Sequence, residues 1–121
     1  MSAVIVVGVL GFLAMAGVFG YVAWRGRAGT LPKDSMLGLK NREVEASQEA
    51  WVAGHRAAWP ILAAGAVVAG FHALGCLVAG FMGTQGGSFV RVLLVAGILV
   101  CVALWFVASA AAVAAANRLD P

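Results

Sequence analysis

Three long runs without a charged residue constrain this chain more than any other feature of its sequence. They cover residues 3–24, 60–82 and 92–116. Each run exceeds the roughly 20 residues that an α-helix needs to cross about 30 Å of hydrocarbon, at about 1.5 Å per residue. Backbone groups in lipid must form hydrogen bonds within their own segment, so each run is predicted to be a helix. The sequence therefore predicts an all-α integral membrane protein with three transmembrane helices.

The composition agrees with lipid as the solvent of this chain. It is 63% hydrophobic and 11% charged, whereas a soluble domain carries roughly 25% charged residues. Cys76 and Cys101 both lie inside apolar runs, which is typical of small buried hydrophobic side chains. The two cysteines lie in different runs, and no pair of cysteines lies close in sequence with histidine or cysteine partners, as a metal site would require. We therefore predict no metal site and no cofactor.

The polar segments divide this single membrane domain and set its orientation. They are a loop at 25–59, a turn at 83–91 and a tail at 117–121. An excess of Lys and Arg marks the cytoplasmic side of a membrane protein. Only Arg91 lies on the side of the turn, and the other seven of the eight basic residues lie in the loop or the tail: Arg25, Arg27, Lys33, Lys40, Arg42, Arg56 and Arg118. This bias predicts a multi-pass membrane protein with its N-terminus outside and its C-terminus in the cytoplasm.

The start of the chain argues against a cleaved signal peptide. A signal peptide places positive charge before a shorter apolar core. Here the first basic residues, Arg25 and Arg27, follow the first apolar run. We therefore expect this run to be retained as a membrane helix.

Charge and small-residue content indicate the class of partner. The net charge of +3 is explained by basic residues beside the cytoplasmic leaflet, where anionic lipid attracts each by about 1 kcal/mol. Membrane lipids are therefore expected partners, and no interleaving of aromatic and basic residues suggests nucleic acid. Glycine and alanine throughout the three runs allow helices to approach closely. This predicts a homo-oligomer or assembly into a larger membrane protein complex.

The second half of the loop is predicted to form a short amphipathic helix at the membrane interface, at about residues 43–59. Ser47 is its predicted N-cap, and Glu49 lies in the first turn, where the helix dipole favours an anion. Pro60 would then begin the second span or mark a kink between two helices.

Aromatic side chains are predicted to share one face of this helix. Trp51, His55 and Trp59 are spaced four residues apart, with Arg56 beside them. Tryptophans on one face are typical of a helix at the headgroup boundary, where Lys40, Arg42 and Arg56 could hold lipid phosphates. Such a helix either anchors the loop at the interface or binds a lipid, peptide or partner protein.

The same segment resembles the signature of the SdpI-like (SdpI/YhfL) family of small multipass membrane proteins. The resemblance rests on GLK at 38–40, SQEAW at 47–51, HRAA at 55–58 and Pro60, directly before a span. Two positions differ from the family pattern, since Lys40 stands in place of Arg and Asn41 in place of Thr. By this resemblance the signature positions are Gly38, Lys40, Ser47, Glu49, Trp51 and His55.

The resemblance implies a function. We expect a non-enzymatic protein of the bacterial plasma membrane with a role in immunity or envelope protection against membrane-active toxins. The loop signature, with Arg56 and Trp59 as further binding candidates, would be its recognition or signalling element. An accessory subunit that packs onto a larger membrane protein complex is the alternative.

Spacing argues against catalysis by the loop. Ser47 and His55 are eight residues apart, which is about 12 Å along a helix and too far for a hydrogen bond. Glu49 and His55 face different directions around the helix. We therefore predict no catalytic residue and no enzyme.

His72 is the one ionisable side chain near the middle of a span. An intramembrane ionisable group is a candidate for function, but a neutral histidine can be satisfied by one interhelical hydrogen bond. None of the three runs contains a carboxylate that could complete a proton relay. A small transporter is therefore the least supported of the functions considered.

Overall fold

The computed structural model describes residues 3–83 and 86–119, and every regular element in them is helical. The helices are α1 (Ala3–Ala28), α2 (Arg42–Glu45), α3 (Gln48–Ala79) and α4 (Gly86–Asn117). Of these, α1, α3 and α4 are long and apolar enough to cross a membrane. The predicted all-α fold with three apolar, membrane-length helices is confirmed. Residues 84 and 85 of the predicted turn, and 120 and 121 of the predicted tail, lie outside the described residues.

Helix α1 extends past the predicted end at Trp24 and ends at Ala28. Gly29 has a left-handed φ of 72°, a conformation that glycine adopts without a steric penalty. Its N–H donates to the Gly26 carbonyl at 3.2 Å, and the Thr30 N–H donates to the Arg25 carbonyl at 2.9 Å. This pair of bonds is a Schellman motif. The helix ends only at this motif, so Arg25 and Arg27 lie in its last turn.

Helix α3 replaces two predicted elements with one. The expected interfacial helix at 43–59 and second span at 60–82 form a single helix from Gln48 to Ala79, with Pro60 inside it. Only the four-residue α2 precedes it as a separate helix. Proline removes one hydrogen bond from a helix interior, but membrane helices tolerate this because their surroundings satisfy the freed carbonyl.

The start of α3 agrees with the sequence. Ser47 is the N-cap, and its Oγ accepts a hydrogen bond from the Ala50 N–H at 3.0 Å. The helix has 32 residues and is therefore about 48 Å long, well beyond the roughly 30 Å of hydrocarbon. Its first turns accordingly extend beyond the apolar run, where they can support the loop.

Helix α3 lies between α1 and α4 and packs against both, whereas the backbones of α1 and α4 are further apart and these two helices meet through long side chains such as Phe19 and Trp105. Glycines allow this close packing. A Cβ on Gly65 would stand 2.5 Å from the Phe19 ring, and one on Gly97 would stand 2.5 Å from the Phe12 ring. The rings of Phe19 and Phe12 therefore occupy the space that any side chain larger than that of glycine would need at these two positions. This is the use of small residues expected for packed membrane helices.

The loop is folded onto one end of the helices. Leu31, Leu39 and Val44 are buried in the same apolar cluster as Val22 of α1 and Ala112 of α4. The outward faces of the helices instead expose large apolar side chains, such as Val7, Leu10, Phe71, Val95, Leu99 and Phe106. The protein thus combines an apolar belt with a folded polar end.

Candidate functional site

His55 joins the loop to α3 through both of its ring nitrogens. The side chain is 1% exposed. Nε2 lies 3.0 Å from the Leu39 backbone nitrogen, and Nδ1 lies 2.9 Å from the Trp51 carbonyl oxygen. A carbonyl only accepts and a backbone N–H only donates. Nδ1 therefore carries the proton, Nε2 accepts the Leu39 N–H, and the ring is neutral.

Trp51 makes a second connection to the loop. Its indole Nε1–H donates to the Leu31 carbonyl at 2.9 Å, and its side chain is 1% exposed. The Trp51 and His55 rings pack against each other with centroids 4.3 Å apart. Two neighbouring turns of α3 therefore hold the loop at two places, Leu31 and Leu39.

Two glycines let the chain approach these rings. A Cβ on Gly38 would overlap the Trp51 ring and stand 3.2 Å from His55 Nε2. A Cβ on Gly26 of α1 would stand 3.1 Å from the His55 Cβ and 3.2 Å from its carbonyl oxygen. We call the whole group the loop clamp; it consists of Gly26, Leu31, Gly38, Leu39, Trp51 and His55.

The loop clamp contains three of the residues that the signature singles out, Gly38, Trp51 and His55. The predicted aromatic stripe differs from the structure in one respect. Trp51 and His55 face the protein interior, because residues 31–39 fold over them, and they do not face the membrane interface. Trp59 is partly buried, and the Arg27 guanidinium lies 4.9 Å from the centre of its ring.

The other predicted residues lie on the surface of the same end. Lys40, Glu49 and Arg56 are exposed, and Ser47 caps α3. Arg56 reaches back to the end of α1, since a Cβ on Gly29 would stand 2.9 Å from its guanidinium. The signature is thus divided between a buried clamp and an exposed polar surface above it.

An open cleft of about 410 Å³ separates the start of α3 from the end of α4. Its polar lining consists of Arg42, Glu43, Ser47, Glu49 and Asn117. Both acidic and basic groups face the cleft, so it can offer paired polar contacts to a partner. Ser47 and Glu49 of the signature contribute to this surface.

His72 has a partner within its own helix. Its Nδ1 lies 2.8 Å from the Val68 carbonyl oxygen and donates to it. The ring packs beside Phe12, with centroids 5.3 Å apart, and against Gly97 of α4. The bond is intrahelical, where the sequence suggested an interhelical one. The carbonyl one turn earlier in the same helix is a local acceptor that a side chain of this length can reach.

Sequence reasoning missed Gly26, Leu31 and Leu39. Leu31 and Leu39 act through backbone groups, which every residue type offers, so no residue pattern identifies them. Gly26 follows the first apolar run, where glycine is common in loops and at helix ends, so its residue type did not identify it either. Among the described residues no group of three or more His, Cys, Asp or Glu side chains could hold a metal ion.

The fold and the loop clamp define a class: an all-helical protein whose three apolar helices suit a membrane and whose polar loop is fixed to one end. No protein-family model, curated protein or solved structure matches the chain.

Proposed function

We propose that this chain is a non-enzymatic, SdpI-like bacterial membrane protein with a role in immunity or envelope protection against membrane-active toxins. The folded loop is its recognition or signalling element. One observation carries the proposal: Gly38, Trp51 and His55, which the SdpI-like resemblance singles out, meet in one buried cluster. A loop that served only as a tether would need no such cluster.

The clamp supports recognition because it fixes the surface above it. Ordering a loop at the moment of binding costs conformational entropy, and a loop that is already ordered avoids this cost. Lys40, Glu49 and Arg56 are exposed at this end of the protein, and Glu49 also lines the polar cleft. With the loop in the cytoplasm, as the basic residues suggest, this surface serves an intracellular partner rather than an external toxin.

A non-catalytic role is supported by how the candidate catalytic groups are used. Ser47 Oγ accepts from Ala50, and both His55 nitrogens have backbone partners. His55 therefore has no free nitrogen to act as a base, and a serine hydroxyl needs such a base to become a nucleophile.

Survival of cells challenged with membrane-active peptides tests the proposal. Deletion of the gene should lower survival, and the wild-type gene should restore it. Trp51→Phe removes the indole N–H and should fail to restore survival at equal membrane abundance. Trp105→Phe is the matched control, since Trp105 lies in α4 against Phe19 and outside the clamp. Unchanged survival after deletion would rule out protection.

A specific surface favours the accessory-subunit alternative. Helices α1 and α4 leave an open apolar groove of about 150 Å³ whose lining includes Gly8, Gly11 and Leu94. A Cβ on Gly11 or on Gly17 would meet nothing within 4 Å. Small residues on an open helix face allow a further helix to pack closely.

Affinity purification from native membranes in mild detergent tests this alternative. A stoichiometric second protein would support the accessory-subunit function. Elution of the chain alone, whether as a monomer or as a homo-oligomer, would exclude it.

A further inference from the structure

A second groove lies between α1 and α3, close to the loop end of the helices. It comprises two adjoining clefts of about 180 and 250 Å³ that share Trp24 and Arg27. Small residues form its floor, namely Gly20 of α1 with Ala63 and Ala66 of α3. Trp24, which is 73% exposed, and Trp59 flank it. The groove is therefore narrow, apolar and open towards the surroundings of the helices.

A single positive charge lies at one end of this groove. The Arg27 guanidinium is exposed and stacks on the Trp59 ring at 4.9 Å. Within residues 3–83 and 86–119 the only ion pair joins Lys33 to Asp34, so no carboxylate neutralises Arg27. A planar guanidinium presents paired N–H donors in the geometry that phosphate oxygens accept.

The polarity of the groove changes along its length. Gly20 and Arg27 are seven residues apart on α1, which corresponds to about 10 Å along the helix. The Gly20 end lies within the apolar run, whereas the Arg27 end follows it. Tryptophan rings with an arginine beyond them are typical of the level where headgroups meet acyl chains.

We propose that this groove binds an anionic phospholipid from the leaflet on the side of the long loop. One acyl chain lies along Gly20 and Ala66 between the two tryptophan rings, and the phosphate pairs with Arg27. The assignment does not depend on the proposed protective function.

Charge complementarity selects this occupant over a second copy of the chain. A membrane helix from another copy would be α1, α3 or α4, and these helices contain no acidic residue other than Glu49 in the first turn of α3. Such a helix would cover Arg27 without supplying a counter-charge, which is costly. A phospholipid supplies both an apolar chain and a negative charge at its end.

Tryptophan fluorescence with brominated lipids tests the site. The purified full-length protein is placed in phosphatidylcholine vesicles that contain a small, increasing fraction of phosphatidylglycerol with brominated acyl chains, or of brominated phosphatidylcholine. Bromine quenches nearby indole rings, and Trp24 and Trp59 flank the groove. We expect half-maximal quenching at about fivefold less brominated phosphatidylglycerol than brominated phosphatidylcholine, as expected for one cationic contact.

Arg27→Gln should abolish this preference. Arg42→Gln is the matched control, because it removes the same charge from the same end of the helices but outside the groove, and it should retain the preference. A preference that persists in Arg27→Gln, or a wild-type protein without one, would overturn the proposal.

A second variant tests the path of the acyl chain. A Cβ on Gly20 would meet only Ala66, at 3.8 Å, so the longer side chain of Gly20→Leu would extend into the groove. It should weaken quenching by phosphatidylglycerol, whereas Gly17→Leu, on an open part of α1, should not. Equal quenching in a folded Gly20→Leu protein would contradict the assignment, and if that variant does not fold, Arg27→Gln decides.

Discussion

At the scale of single residues, the hydrogen bonds of His55 explain why a titratable side chain can be buried here. Each nitrogen meets a backbone group of the matching kind, so the neutral ring leaves no polar atom of its own unpaired. Any replacement without an acceptor at Nε2 leaves the buried Leu39 N–H without a partner. His55 can therefore make both bonds only in the tautomer that carries its proton on Nδ1, with the Leu39 N–H facing Nε2.

The Gly38→Ala substitution tests the packing of the clamp. The added Cβ would overlap the Trp51 ring, and overpacking of this kind costs about 1–3 kcal/mol. We expect the free energy of unfolding in detergent to fall by that amount, and the near-UV circular dichroism of tryptophan to change. Gly70→Ala is the control, since a Cβ on Gly70 meets nothing within 4 Å. Equal stability of the two variants would show that Trp51 does not pack against Gly38.

Local interactions were predictable from the sequence, and distant ones were not. The Ser47 cap depends on residues within one turn, and its residue type identifies it. The loop partners of Trp51 and His55, by contrast, lie 20 and 16 residues away and are backbone groups. The spacing of Trp51, His55 and Trp59 predicts a shared face of the helix, and the structure packs the rings of Trp51 and His55 against each other. The spacing could not show that the loop covers Trp51 and His55 and leaves Trp59 partly exposed.

At the scale of elements, the length of α3 is the main difference from the sequence-based expectation. Composition indicated helix on both sides of Pro60, and proline is compatible with either a helix start or a helix interior. The loop favours the helix interior. The backbone groups of Leu31 and Leu39 form hydrogen bonds with Trp51 and His55, and these bonds hold the turns before Pro60 in line with the span. The helical structure of the three apolar runs, by contrast, was predicted well. In lipid only an α-helix or a closed β-barrel satisfies every backbone hydrogen bond, and the runs are too long and too uniformly apolar for barrel strands.

The Pro60→Ala substitution distinguishes the two roles of this proline. In a continuous helix, alanine restores the N–H that can bond to the Arg56 carbonyl and relieves the ring clash. The free energy of unfolding in detergent should therefore rise, by up to about 3 kcal/mol, with unchanged helix content by far-UV circular dichroism. A loss of stability would indicate that Pro60 begins a separate helix, where proline is favoured.

At the scale of the whole molecule, the chain combines an apolar belt of three helices with one folded polar end. Polar and charged side chains concentrate at the end that carries the loop clamp, the cleft and the Arg27 groove. This concentration explains how a protein with 11% charged residues can still present a defined polar surface. The proposed orientation in the membrane determines which compartment that surface meets.

Labelling of single cysteines in intact cells tests this orientation. A membrane-impermeant thiol reagent should label Gln85→Cys and should leave Gln48→Cys unlabelled, because the loop side is proposed to be cytoplasmic. Cys76 and Cys101 are buried, and a variant without either cysteine provides the background. The reverse pattern would place the loop outside, where it could meet a toxin directly.

The central claim is that the signature residues hold the loop on α3, and amide hydrogen exchange at Leu39 tests it most directly. In the wild-type protein the Leu39 N–H should exchange slowly, because it donates to His55 Nε2 in a buried site. In His55→Phe it should exchange much faster, with a loss of about 1–3 kcal/mol of stability for the unpaired N–H, while amides in the middle of α1 stay protected. Rapid exchange of Leu39 in the wild-type protein, or equal protection in both proteins, would contradict the account.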